Sequence, residues 1–361
     1  MHTGDLPFGK IATLLQDRAD FVLLETLKRD RDNTQSFLFL DPKKIIHAAD
    51  LDEATAILET HTNKQFVAGA IRYDGSADLG IFDQRIMFDH RSGTFDDTLI
   101  DVDSLASFSF TESPVNGLRL GSSESEYKQF FTRVMEKLTA GESYQVNLTI
   151  PYCFDYHGCI FSLYERLRRS QRVSYAALIR FSDQWIMSLS PELFFRRNGT
   201  SMIVKPMKGT SKPGRTNAED QTRATRLQAS VKERAENTMI VDLLRSDLGK
   251  ISAIGSVEVE ELCAVEKFET VLQMTSTIRS RLKEGVGWKE IFTALFPSGS
   301  VTGAPKIRTM EIIREIEKGD RGVSYGSIGF AGPEGHGVFS VAIRTMELST
   351  LLVSPPPVAP Q

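Results

Sequence analysis

Glu192 and Lys208 bracket a short apolar hairpin, and a carboxylate and an amine brought together by such a turn can do acid–base or nucleophilic work. Glu192 stands in Ser190-Pro191-Glu192, before the apolar run 193–197, and Lys208 stands in Pro206-Met207-Lys208-Gly209-Thr210, after the run 202–204. Between the runs lies Asn198-Gly199, a pair that favours a two-residue turn. Strict pairing about that turn sets Glu192 opposite Lys205 and Lys208 opposite Leu189, which leaves the two groups on opposite faces of the ladder. Their meeting requires Pro191 and Pro206 to break the pleat, as prolines at strand ends do. On its own the pair also fits a surface ion pair, worth about 0 to 1 kcal/mol.

Three further groups have chemistry in their spacing. Glu233 and Glu236 fall one turn apart on one helix face, with Asp242 and Asp247 following, so this segment could offer oxygen ligands to a hard cation or simply form a solvated face. The loop Phe296-Pro297-Ser298-Gly299-Ser300-Val301-Thr302-Gly303-Ala304-Pro305-Lys306 runs into a helix, whose first N–H groups suit an anionic part of a ligand. Its spacing is not that of a Walker A loop. Arg344, in a late strand pattern, could grip a carboxylate with a bidentate fork or serve a structural ion pair.

The elements that must hold these groups are legible in part. Ser123 and Glu126 make a capping box before Tyr127, Phe130, Phe131, Val134, Met135 and Leu138, which recur at helical spacing up to Gly141. Tyr144, Val146, Leu148 and Ile150 alternate as a strand would. Helices are predicted from Ala218, from the capping box Ser230–Glu233 to about Arg245, over 288–296, and over 304–318 with Pro305 in the first turn. Strands are predicted over 174–181, 184–189, 193–197, 202–204, 255–260, 269–278, 324–331 and 337–348. Without regular βαβ alternation the class is α+β. The Gly-, Ser- and Pro-rich stretch 113–123 reads as a boundary between an N-terminal lobe, 1–112, and a second domain, 120–348, followed by a Pro-rich coil over 349–361.

Composition bounds the partners. The chain has 361 residues, 41% hydrophobic and 25% charged, with 43 Lys and Arg against 47 Asp and Glu, a net charge of −4 that gives no electrostatic footprint for nucleic acid or an anionic membrane. No apolar run is long enough to span a bilayer, and Asp5, Asp17 and Asp20 interrupt any signal-peptide core, so a cytoplasmic protein is expected. Cys153, Cys159 and Cys263 form no metal or redox spacing, and no histidine falls between His157 and His336, which disfavours a zinc site or a Ser-His triad there.

The runs KPMKGT, KERAENTMIVDLLRSDLGK, FPSGSVTGAPKIRTMEIIREIE, SIGFAG and VAIRTM, with Tyr144-Gln145-Val146-Asn147-Leu148 and Ser190-Pro191-Glu192, resemble the chorismate-utilising enzymes over residues 120–348. Leu23-Leu24-Glu25-Thr26 resembles that family's opening motif more faintly. The resemblance implies two layered antiparallel β-sheets flanked by helices, with chorismate and Mg²⁺ between them. Lysine at 208, where the anthranilate-forming members have alanine, implies amination at the ring carbon bearing the hydroxyl, with Lys208 as nucleophile and Glu192 as proton donor. Gln145, where water-using members have lysine, implies ammonia rather than water, supplied by a glutamine amidotransferase subunit on the way to p-aminobenzoate and folate. It further implies Glu236, with Glu233 through water, as the Mg²⁺ ligands, Arg344 as the clamp on the enolpyruvyl carboxylate, and Gly209, Thr210, Ser300, Thr302 and Gly303 as substrate-binding residues.

The sequence departs from that pattern in three places. Gln273-Met274-Thr275-Ser276 replaces a histidine motif, Tyr325 falls one residue late with Ser324 before it, and the run LSTLLVSPPPVAPQ after Met346 lacks the family's closing Gly-rich turn, second glutamate pair and lysine. A truncated C-terminus with half a metal site is the expectation. A catalytically silent member that keeps ligand or partner binding, and an anthranilate-forming member, are the alternatives.

Overall fold

The strand Gln184–Ser190 lies in one sheet and the strand Leu193–Asn198 in another, with only Pro191 and Glu192 between them. Proline removes a ladder donor and fixes φ, so the chain leaves one sheet here and enters the next. The same happens in the antiparallel direction near the end of the chain, where His336–Val341 and Thr345–Ser349 are divided between the same two sheets. The 337–348 run is therefore two strands rather than one, broken at Arg344, whose φ is +52°.

These crossovers stitch together a computed structural model that describes residues 4–96 and 101–349. One antiparallel sheet has seven strands, and the other has ten, centred on Leu272–Arg281, Ser201–Lys205, Leu193–Asn198, His336–Val341 and Ser327–Gly332. Val22, Phe39, Phe82, Ile179, Ile186, Ile328 and Phe330 fill the space between the sheets. Each such side chain, fully buried, contributes about 1.5 to 3 kcal/mol. Helices Leu51–His61, Val231–Ile251 and Trp288–Leu295 cover the outer face of the larger sheet, and Phe8–Leu15 and Ile160–Ser170 cover the smaller. The α+β class, two layered antiparallel sheets between helices, is what the structure has.

The division into lobes does not follow the sheets. Asp20–Glu25 pairs with Tyr175–Phe181, and Phe66–Ile71 pairs with Ser327–Gly332, so the first hundred residues complete both sheets. The stretch 113–123 holds a strand, Val115–Leu120, paired with Tyr152–Tyr156. Residue 349 closes a strand rather than opening a coil, and 350–361 lie outside the described residues.

Helix starts follow their caps. Ser123 and Glu126 form the reciprocal box at Glu124–Thr139, and Ser230 accepts from Glu233 N at the head of Val231–Ile251, which runs six residues past Arg245. The alternation at 144–150 yields only a two-residue strand, Gln145–Val146, held by Gly303 and Ala304. Among the described residues no helix is long and apolar enough to cross a membrane.

Candidate active site

The hairpin that carries Glu192 and Lys208 turns one residue later than strict Asn-Gly pairing sets it. Asn198 pairs with Ser201, and a bulge between Leu193 and Arg196 then places Leu193, not Glu192, opposite Lys205. Glu192 is thereby free of the ladder. After Lys205 the chain passes Pro206 and re-forms as Met207–Ser211, pairing with Leu272–Arg281 across a second bulge between Met207 and Thr210. Lys208 and Gly209 occupy that bulge, a device that re-aims side chains beside active sites. Both prolines thus break the pleat as the meeting of the two groups requires.

The two groups do meet as charges. Glu192 is 3% exposed, and its Oε1 has no hydrogen-bond partner. Burial pushes its carboxyl up to about 7, against smaller opposing pulls from the Ser300 hydroxyl, the Lys208 ammonium and the Met207 N–H. Burial likewise holds Lys208 below the ordinary lysine range, with Glu192 and Glu236 pulling it back up. The result is a carboxyl that gains and loses its proton near neutrality beside an amine whose neutral form is favoured by desolvation, the pairing that acid-assisted nucleophilic chemistry needs.

The surrounding loops are tightly specified. Gly209 has φ +87°, and a Cβ there would stand 3.0 Å from Glu233 Oε2, so the bare glycine lets the acidic helix close on the Lys208 bulge. Gly303 has φ +145°, and a Cβ there would lie 1.9 Å from the Gln145 carbonyl oxygen. Gln273 Nε2 donates to the Gly209 carbonyl and its Oε1 accepts from Thr210 Oγ1, both at 3.0 Å, fixing this bulge where a histidine was expected. Ser300 Oγ lies 2.9 Å from Ser298 Oγ while facing Glu192.

The structure does not bring every predicted group into this cluster. Thr302 is fully buried, and its hydroxyl donates to Ser298 O at 3.1 Å, so it braces the loop rather than facing a ligand. Arg344 Nη1 donates to Gln171 Oε1 at 3.0 Å, and the side chain lines a cavity of about 660 Å³ with Tyr325 and Ile343, whose lining includes neither Glu192 nor Lys208. Asp247 is excluded from a cation site by distance, since eleven residues of helix put it about 16 Å from Glu236. It pairs instead with Lys306 and Lys250, each at 2.8 Å. Asp242 pairs with Arg245 at 3.0 Å. Among the described residues no three acidic, histidine or cysteine side chains converge as a metal centre. Glu233 and Glu236 remain as two carboxylates beside the Lys208 bulge, within the one or two that Mg²⁺ takes from protein while filling its shell with water and ligand oxygens.

Sequence reasoning missed Lys306, Asn237 and Arg321. Lys306 caps the end of the Trp288–Leu295 helix, donating to Leu295 O at 2.9 Å while it neutralises Asp247. Its position three residues after Gly303 was the available signal. Asn237, fully buried next to Glu236, accepts from Ser276 and ties the acidic helix to the strand behind Lys208.

The family model for chorismate binding enzymes matches residues 26–352. Aminodeoxychorismate synthase component 1 of Salmonella typhimurium is 41% identical over 221 residues, covering 61% of this chain and 49% of that protein. The Klebsiella aerogenes protein of the same name is 33% identical over 321 residues, 85% of this chain and 71% of the relative. In several such alignments the chain spans only about half the length of the curated relative. Anthranilate synthase component I from Streptococcus pneumoniae TIGR4 superposes with a TM-score of 0.78 at 23% identity, over 89% of this chain and 86% of that one, and so shares the fold. The matched span runs through both sheets and every residue of the Glu192–Lys208 cluster, and the chain belongs to the chorismate binding enzyme family.

Proposed function

We propose that the chain aminates chorismate at C4 to give 4-amino-4-deoxychorismate, with ammonia from a glutamine amidotransferase partner, in the supply of p-aminobenzoate for folate. The observation that carries this reading is the desolvated Lys208 amine beside a Glu192 carboxyl that protonates near neutrality. The relatives named aminodeoxychorismate synthase support it.

In this reading the neutral amine of Lys208 bonds to the ring as the C4 hydroxyl departs. Glu192 gives its proton to that hydroxyl, so water leaves rather than hydroxide, and the carboxylate that remains is stabilised by the Lys208 cation. Ammonia then adds at C4 as the lysine departs as the free amine, and the new C4 ammonium passes its excess proton back to the Glu192 carboxylate. Arg344 would turn from Gln171 to the enolpyruvyl carboxylate, and Gly209, Thr210, Ser300, Thr302 and Gly303 form or brace the surrounding backbone. Glu236, and Glu233 through water, would hold Mg²⁺, which when bound supplies positive charge to the ring carboxylate. Orientation by these groups converts an encounter into a positioned reaction.

Chorismate consumption by the purified chain with ammonium and Mg²⁺, followed by chromatography of the products, tests this. Ammonium-dependent 4-amino-4-deoxychorismate, converted to p-aminobenzoate by an added lyase, is the expected result. Anthranilate as product, or no turnover by a folded chain, overturns it.

A further inference from the structure

Arg321 follows the Lys306–Ile316 helix and is one of the most enclosed charges in the molecule, with its side chain 4% exposed. Its guanidinium forks onto Glu317, Nε to Oε2 at 2.8 Å and Nη2 to Oε1 at 2.6 Å. A salt bridge so enclosed is not by itself a stabilising device, since desolvation offsets most of its attraction. Its other contacts show what it holds. Nη1 donates to Val301 O at 3.1 Å and Nη2 to Asn147 O at 2.7 Å, while Glu317 Oε1 also accepts from Thr149 N at 2.8 Å.

Those three backbone groups belong to two paired segments, the second of which follows directly on Ser300, whose hydroxyl faces Glu192. Segment 144–149 runs antiparallel to 301–304, joined by Tyr144 N to Ala304 O at 2.8 Å and Asn147 N to Thr302 O at 2.9 Å. Such a two-residue ladder is too short to hold itself, and Thr302 has ψ −81° beside a Gly303 at φ +145°. The guanidinium closes its open end. Its flat faces are packed by Tyr73 and Tyr325, at 4.4 and 5.0 Å from the ring centroids. Lysine could replace the charge but neither the fork nor the stack.

We propose that Arg321 is a positioning residue for this site: its planar fork locks the Asn147 and Val301 carbonyls, and through Val301 sets the neighbouring Ser300 against Glu192. The role rests on the amination reading for its kinetic consequence, while the clamp itself is a property of the fold.

The test compares the full chain with R321K and E317Q in two measurements. Hydrogen exchange is expected to quicken about tenfold or more in segments 144–149 and 298–304 while the two main sheets keep their protection. Steady-state amination by R321K is expected to lose about 100-fold in kcat, as misplacement of a reacting group by about 1 Å does. The KM for chorismate should change by about threefold or less, because no binding group is removed. Unchanged exchange in the two segments, an unchanged kcat, or a uniform loss of protection across both sheets would each overturn the proposal. If R321K fails to fold, E317Q, which keeps the guanidinium and weakens its fork, carries the same measurements. A folded wild-type chain without turnover would defeat the amination reading alone, and exchange would then decide the clamp.

Discussion

Val341 N donates to the carbonyl of Glu192 and Leu189 N donates to the carbonyl of Arg344, each at 3.1 Å, so these two residues occupy facing crossovers between the same pair of sheets. A buried acid and a half-buried arginine, 152 positions apart in sequence, are thereby fixed to one seam of backbone hydrogen bonds. Each stands outside its ladder, which is where a side chain is free to do chemistry on a rigid frame.

Glu192→Gln separates catalytic from structural cost. Glutamine cannot donate the proton, so kcat should fall by about 100- to 10,000-fold. Stability should move the other way. The folded carboxyl titrates near 7, above its ordinary value of 4.5, so the native state holds a proton that the unfolded chain releases. Wild-type stability is therefore full below about pH 4.5 and declines as pH rises through 7. E192Q should be more stable than wild type at pH 8, by about 1 to 3 kcal/mol, and lose this advantage at pH 5, read by chemical unfolding at both pH values.

The pH–rate profile follows from the same group. Turnover that needs protonated Glu192 should decline on the alkaline side with an apparent midpoint near 7 in the free enzyme. An alkaline limb unchanged in E192Q would assign that midpoint to another group.

Lys306→Met removes the cation that neutralises buried Asp247. With Lys250 still in contact, the loss should be about 3 kcal/mol, seen as a lowered Tm. An unchanged Tm would show that the pair adds nothing.

Glu236→Gln and chelation address the cation. Removing one carboxylate of two should raise the Mg²⁺ concentration for half-maximal chorismate binding about tenfold or more, and a chelator should abolish that binding. Binding indifferent to both would remove the metal from the account.

What the sequence disclosed depended on range. Caps at Ser123 and Ser230 and the turn signal at Asn198-Gly199 are local, and each shaped a real helix end or hairpin, the last displaced by one residue through a bulge at 193–196. Pro191 and Pro206 disclosed the breaks that release Glu192 and Lys208. The pairing of Phe66–Ile71 with Ser327–Gly332 has no local signal, because register between strands so far apart in sequence is set by packing. The break in the strand at Arg344 and the ion pair of Asp247 were hidden for the same reason: a left-handed residue inside a β pattern, and an acid whose partner arrives from another helix, show only in three dimensions. The Arg321 clamp was unreadable because its acceptors are backbone carbonyls.

In the proposed reaction Lys208 is the nucleophile for amination at C4. Wild type and Lys208→Ala should be compared for ammonium-dependent product and, in parallel, for chorismate binding. 4-Amino-4-deoxychorismate is expected from wild type alone, with chorismate still bound by the variant. Formation of the 4-amino product by Lys208→Ala at a rate near that of wild type would contradict it.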